Sequence, residues 1–243
     1  MFNDLYSYVP DNWKFYINES NLNSIIEKLN KHNPIEVLPS KENIFESLRH
    51  ADPEQVHTII LGYPSPQREL SSGIAYSIPF EYRFTDIYKR IPNPVIQTKV
   101  ITCLNQSDTT LKELIREGVL LMNYPLTCVV RRKYAHLNYG WDIIIKNLIE
   151  RLLYRTDAKL TLIAWNSDAF EIFNKVIQNW IPTKINGIYT SPMYRNVTLI
   201  VSAGPEEENA NETPLRLKYK TIVKNTSFGY ESHKKYINVI HPT

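Results

Sequence analysis

Only two cysteines, Cys103 and Cys128, and only seven glycines occur in 243 residues. Two isolated thiols build neither a disulfide framework nor a metal-ligand spacing. They point to a reducing intracellular setting, cytoplasmic or nuclear, and to no metal or cofactor. No apolar run approaches the roughly 18 residues that cross a bilayer, so no membrane partner is expected. The stretch Met1 to Trp13 has no basic region ahead of an apolar core and does not read as a secretory signal. Charge of neither sign dominates, because 28 Lys and Arg stand against 25 Asp and Glu. The resulting +3 is too small to identify a nucleic-acid partner. Lys, Asn, Ile and Tyr are plentiful, which hints at an AT-rich gene and says nothing about chemistry. Internal repeats, low-complexity tracts and linkers are missing too.

What is present alternates. Four short apolar runs, Thr58 to Leu61, Val119 to Met122, Leu160 to Trp165 and Val197 to Val201, suit strands buried on both faces. Between and before them, apolar residues recur at helical spacing. Leu22, Ile25, Ile26 and Leu29 form one such set, with Asp11, Asn18 or Ser20 as its cap, and Ile44 and Leu48 another. Phe84, Ile87, Tyr88 and Ile91 form a third, then Leu111, Leu114 and Ile115, then Trp141, Ile144, Ile145, Leu148 and Ile149. A last helix is expected over 168–180. The pattern predicts an α/β protein with one domain over residues 51–243, preceded by a helical extension over 1–50. A central four-stranded parallel sheet flanked by helices is expected, with the loops that follow the strands on one edge.

The first of those loops reads Gly62-Tyr63-Pro64-Ser65-Pro66, and Gly73-Ile74-Ala75-Tyr76-Ser77 follows. It resembles the active-site loop of uracil-DNA glycosylases, in which a strand ends in Gly-Gln-Asp-Pro-Tyr and Gly-Leu-Ala-Phe-Ser follows. The run Gly118-Val119-Leu120-Leu121-Met122-Asn123-Tyr124-Pro125-Leu126-Thr127 resembles the family's Gly-Val-Leu-Leu-Leu-Asn-x-x-Leu-Thr. Ala135-His136 with Gly140-Trp141-Asp142 is similar to Ser-His and Gly-Trp-Glu. The matches keep the family's order over roughly residues 50–240. The resemblance implies a three-layer uracil-DNA glycosylase-like fold. It also implies a base pocket built from Gly62, Tyr63, Pro64, Tyr76 and Asn123. Asn123 would read the edge of a flipped uracil with its amide, and Tyr76 would stack on the base.

Two positions depart from the family. Tyr63 stands where the family has the aspartate that orients the attacking water, and the loop is one residue short. A phenol, with an ordinary pKa near 10, is neutral at pH 7 and does not do a carboxylate's work. After the fourth strand the family has His-Pro-Ser-Pro-Leu, the loop with its catalytic histidine and leucine wedge. Here the chain reads Ser202-Ala203-Gly204-Pro205-Glu206-Glu207-Glu208, with Gly204 at the histidine. Three carboxylates in that loop repel phosphate, and one of them is a candidate substitute water activator. Thr190-Ser191-Pro192-Met193 is an alternative match for the loop; it also lacks a histidine. Ser65 and His136 are further candidates for contacts to the DNA backbone, although a turn hydroxyl and a structural histidine are the simpler readings. Arg131-Arg132-Lys133 is a basic run ahead of Ala135-His136 and a candidate contact to a nucleic-acid backbone, although such runs are usually only solvated.

The resemblance thus implies the scaffold without its main catalytic groups. The first expectation is a catalytically inactive binding or scaffolding component of a DNA replication, processivity or repair assembly, with a protein partner and weakened DNA binding. The family offers a precedent in poxviruses, where a glycosylase of this fold is a subunit of the polymerase processivity factor; a viral or mobile-element origin fits. The second is a divergent but active uracil-DNA glycosylase. The third is an interaction module with neither activity.

Overall fold

The computed structural model describes residues 1–68, 71–75, 112–155, 159–164, 166–184 and 187–201. Its strands are β1 (Val37–Leu38), β2 (Thr58–Gly62), β3 (Val119–Asn123), β4 (Cys128–Val129), β5 (Leu160–Ala164), β6 (Ile181–Pro182), β7 (Ile188–Thr190) and β8 (Val197–Val201). Every residue of β2, β3 and β5 is buried, as expected of strands covered on both faces. The main sheet has the order β3-β2-β5-β8-β7-β6, and β1 pairs with β4 in a separate two-stranded ribbon.

The four predicted apolar runs are the four parallel strands. Thr58 to Gly62 pair with Val119 to Asn123, Thr58 to Leu61 with Thr161 to Ala164, and Leu160 to Ala164 with Val197 to Val201. The sheet is wider than the expected four strands, because β7 adds to β8 antiparallel and β6 adds to β7. These two strands escape sequence reading because they are short. The outermost one is exposed and contains Pro182, which an edge tolerates.

Helix α1 (Glu19–Leu29) begins at Asn18, whose side-chain oxygen accepts from the Ser20 amide at 3.0 Å. Its apolar stripe buries Leu22, Ile25 and Leu29. After α2 (Glu46–His50), α3 (Lys112–Arg116) leads through Gly118 into β3. The longest helix among the described residues, α4 (Trp141–Leu153), buries Trp141, Ile144, Ile145, Leu148, Ile149 and Leu152, one face at helical spacing. Helix α5 (Ser167–Val176) is capped by Asn166, which accepts from the Ala169 amide at 2.7 Å. It is shorter than the expected 168–180, since the backbone turns extended at Ile177. The helix expected over Phe84 to Ile91 lies outside the described residues.

A single core cluster runs across residue 50. Phe2, Leu5, Trp13 and Leu22 belong to it together with Ile59, Leu120 and Trp141. The indole of Trp13 donates to the Ala51 carbonyl at 2.9 Å. From the far end of α4, the Arg155 guanidinium donates to the carbonyls of Pro53 and Val56. The approach to β2 is therefore held from both sides, just before the strand begins.

Candidate functional site

Gly62 and Asn123 are register partners at the carboxyl ends of adjacent parallel strands. The Tyr124 amide donates to the Gly62 carbonyl at 2.7 Å and ties the two loops together. This is the edge at which open α/β sheets hold ligands. Asn123 is 5% exposed, and its Oδ1 has no hydrogen-bond partner among the described residues. A buried acceptor left unmet costs about 1–3 kcal/mol, so an orphan here calls for a ligand donor.

The returning loop reaches the same strand. The Ala75 amide donates to the Leu121 carbonyl at 3.4 Å, two residues before Asn123. Gly73 adopts φ +85°, and a Cβ there would lie 1.8 Å from the Asn43 carbonyl oxygen. Only glycine lets this loop pack so closely. Tyr76 lies outside the described residues, as do Gly204, Pro205, Glu206, Glu207 and Glu208. The alternative match at Thr190 to Met193 is placed. Because β7 runs antiparallel to β8, Thr190 pairs with Thr198 near the start of β8, on the edge opposite Asn123. The Ser191 hydroxyl there accepts from the amides of Met193 and Tyr194 and closes a turn.

Tyr63 is half-buried and held on several sides. Its hydroxyl donates to Asp168 Oδ2 at 2.6 Å. Tyr134 meets its ring edge-on, with centroids 5.1 Å apart at 86°, and the Lys133 ammonium lies 4.6 Å from its ring centre. Asp168 stands in the first turn of α5, directly after β5, and β5 lies beside β2 in the sheet. Sequence reading took Asp168 only as the start of a helix. A carboxylate just past the end of a central strand was the available signal.

The Pro64-Ser65-Pro66 turn is fixed against the segment after β3. The Ser65 carbonyl accepts from the Cys128 thiol at 3.3 Å, and the Pro66 carbonyl from the Arg131 amide at 2.9 Å. The Ser65 hydroxyl accepts from the Gln67 amide at 3.3 Å, within the turn itself. Burial pushes the Cys128 thiol up to about 12, so it stays protonated and is no nucleophile. The Tyr124 phenol is also pushed up to about 12, by burial first and then by the carboxylates of Asp142, Asp168 and Glu171.

His136 is fully buried. Its Nδ1 lies 2.9 Å from Thr127 Oγ1, which accepts from the Trp141 indole at 2.8 Å. The His136 ring stacks on Tyr139 at 4.2 Å. Burial, with the positive charge of His32 and Arg132 adding, pushes His136 down to about 4. The unfolded chain, with histidine near 6.5, therefore binds a proton that the folded chain refuses. Stability should be full above about pH 6.5 and fall as the pH drops towards 4, by at most about 1.4 kcal/mol per pH unit for this one group. Urea midpoints at pH 7 and pH 5 check this. His136→Asn should shrink the difference without abolishing it, because burial also lowers the His57 pKa.

Among the described residues no three His, Cys, Asp or Glu side chains converge as a metal site. No described helix is long and apolar enough to cross a membrane.

No protein-family model matches the chain. A uracil-DNA glycosylase of Ureaplasma parvum serovar 3 is 28% identical over 176 residues, 68% of this chain and 79% of that protein. One of Idiomarina loihiensis is 29% identical over 136 residues, 55% of this chain and 61% of that protein. The chain thus spans about three-fifths of the second relative's length. Among solved structures, mimivirus uracil-DNA glycosylase superposes with a TM-score of 0.52 at 15% identity, covering 84% of this chain and 74% of that one. At that identity the likeness is one of fold.

Proposed function

The chain belongs to the uracil-DNA glycosylase superfamily, and we propose that it binds uracil-bearing DNA without excising the base, as a component of a DNA replication or repair assembly. One observation carries the reading. Asn123, the sequence match to the family's base-reading asparagine, pairs in register with Gly62 and carries an unmet buried acceptor, while Tyr63 is the sequence match to the family's aspartate. The orphaned Asn123 Oδ1 suits the imide N–H of uracil, and the amide nitrogen suits a uracil carbonyl. The acidic run Glu206 to Glu208 supports weak binding to the duplex, since carboxylates raise the cost of bringing phosphates close. A protein partner then supplies the affinity that the duplex does not.

The test compares matched oligonucleotides carrying one uracil or one cytosine, which lacks the imide N–H, bound to the full chain and read by anisotropy. The uracil strand should bind more tightly. Asn123→Ala should remove that preference, a change of about 5- to 150-fold for one buried polar pairing. Equal affinity for both strands would overturn the reading.

A second reading is favoured by Asp168. Its carboxylate lies 2.6 Å from the Tyr63 hydroxyl, so an acid is present beside the substituted position. On this reading the chain is a slow, divergent glycosylase whose general base comes from α5.

A further inference from the structure

The segment after β4 is the feature that the base pocket does not use. Val129 and Arg132 close a tight turn, with the Arg132 amide donating to the Val129 carbonyl at 2.8 Å. The turn is anchored twice, by the Val130 amide on the Glu36 carbonyl at 2.9 Å and by the Arg131 amide on the Pro66 carbonyl. Arg131 sits at φ 62°, a left-handed conformation that costs an ordinary residue and that glycine takes freely. An arginine kept there puts a guanidinium at the tip of a rigid turn. Arg131 and Arg132 are exposed, and neither makes an ion pair among the described residues.

Next to these charges stands Tyr134, 53% exposed. Its ring is braced edge-on by Tyr63, which Asp168 holds in turn, and the Lys133 ammonium lies 5.8 Å from its centre. Bracing reduces the rotamer freedom that Tyr134 would lose on binding. Two exposed guanidinium groups beside a braced, open aromatic face match a polyanion whose repeating unit also carries a flat π-face. Single-stranded nucleic acid has that chemistry. An acidic polypeptide supplies the charge without the stacking base.

We propose that Arg131, Arg132 and Tyr134 form a single-strand binding platform beside the base pocket, with Tyr134 stacking an unpaired base and the two arginines on its flanking phosphates. The assignment rests on the reading that this sheet edge meets DNA, but not on uracil recognition.

The probe is a fluorescein-labelled oligodeoxycytidylate, whose bases carry no imide N–H, titrated by anisotropy with the full chain over a series of salt concentrations. Tyr134→Ala should weaken binding about 5- to 150-fold at every salt, whereas Tyr134→Phe stays within about twofold. Arg131→Ala with Arg132→Ala should lower the magnitude of the log–log salt slope by about 1.4. Arg131→Gly should lower it by about 0.7 and melt no lower than the parent, which separates strand binding from folding. The probe offers Asn123 no imide edge, so a failure of uracil recognition leaves these results standing. The proposal falls if Tyr134→Ala binds like the parent. It also falls if polyglutamate displaces the strand and binds Tyr134→Ala as well as the parent, which would make the surface one for acidic polypeptides.

Discussion

Given uracil-containing DNA, the protein should release no detectable uracil at enzyme-to-substrate ratios where a relative with the full set of catalytic groups finishes. Hydrolysis of the bond to uracil needs a positioned water, support for positive charge on the sugar, and stabilisation of uracil as it leaves with a negative charge. The family's aspartate serves the first two and its histidine the third. Here Tyr63 stands at the aspartate, and its one proton is committed to Asp168 at 2.6 Å. To accept a proton from water the phenol must first become phenolate, beside a carboxylate that disfavours a second negative charge. Gly204, the sequence match to the histidine, has no side chain with which to donate a hydrogen bond. General-base help is commonly worth about 10²–10⁴-fold and an oxyanion donor about 10²–10³-fold. Groups acting as a unit do not add, so the larger single loss sets the expected deficit. Strand cleavage at abasic sites after alkaline treatment reads the reaction. Robust release by the native protein would overturn the binding reading. If that release were abolished by Asp168→Asn, the base would be assigned to α5 and the chain would be a divergent enzyme. Tyr63→Asp with Gly204→His should recover little, because the loop is a residue short and the new carboxylate sits out of register.

The parts of this architecture legible in the sequence are those with their own apolar signal. β2, β3, β5 and β8 each read as buried strands, and their order among helices implied parallel pairing with Gly62 beside Asn123. β6 and β7 carry no such signal. Ile181-Pro182 and Ile188 to Thr190 are strands only because β8 offers β7 a free edge. Tyr63 drew notice in the sequence because the residues around it keep the family's loop frame. Its partner did not, because Asp168 lies 105 residues further on. Only the adjacency of β2 and β5 brings the phenol and the carboxylate together. The Tyr134 platform was hidden for a similar reason. A basic run in a sequence says nothing of the turn that lifts it clear, or of the ring beneath that braces it.

The N-terminal region poses the same problem at larger scale, and Trp13 tests it. Helical spacing in Leu22, Ile25 and Leu29 was visible, but not whether residues 1–50 stand apart from the sheet. In the structure Trp13 is fully buried, its ring centre lies 5.2 Å from that of Tyr16, and its indole donates to the Ala51 carbonyl at 2.9 Å. Ala51 is the residue from which the chain turns towards β2. Trp13→Ala should therefore cost about 3–5 kcal/mol through the lost burial and the cavity. The Ala51 carbonyl also loses its closer donor and keeps only Asn12 Nδ2 at 3.5 Å, which adds to the cost. Against a total of about 5–15 kcal/mol for a typical domain, that is a large fraction. Trp13→Phe keeps most of the buried ring and should cost much less. Urea unfolding followed by circular dichroism should show one transition, moved as a whole to lower denaturant. If residues 1–50 folded independently, Trp13→Ala would instead produce an early minor step and leave the main midpoint where it was. The single shifted transition is expected because Trp13 shares its cluster with Ile59 of β2 and Trp141 of α4. Loosening it loosens the strand that carries Gly62 and Tyr63 to the edge of the sheet.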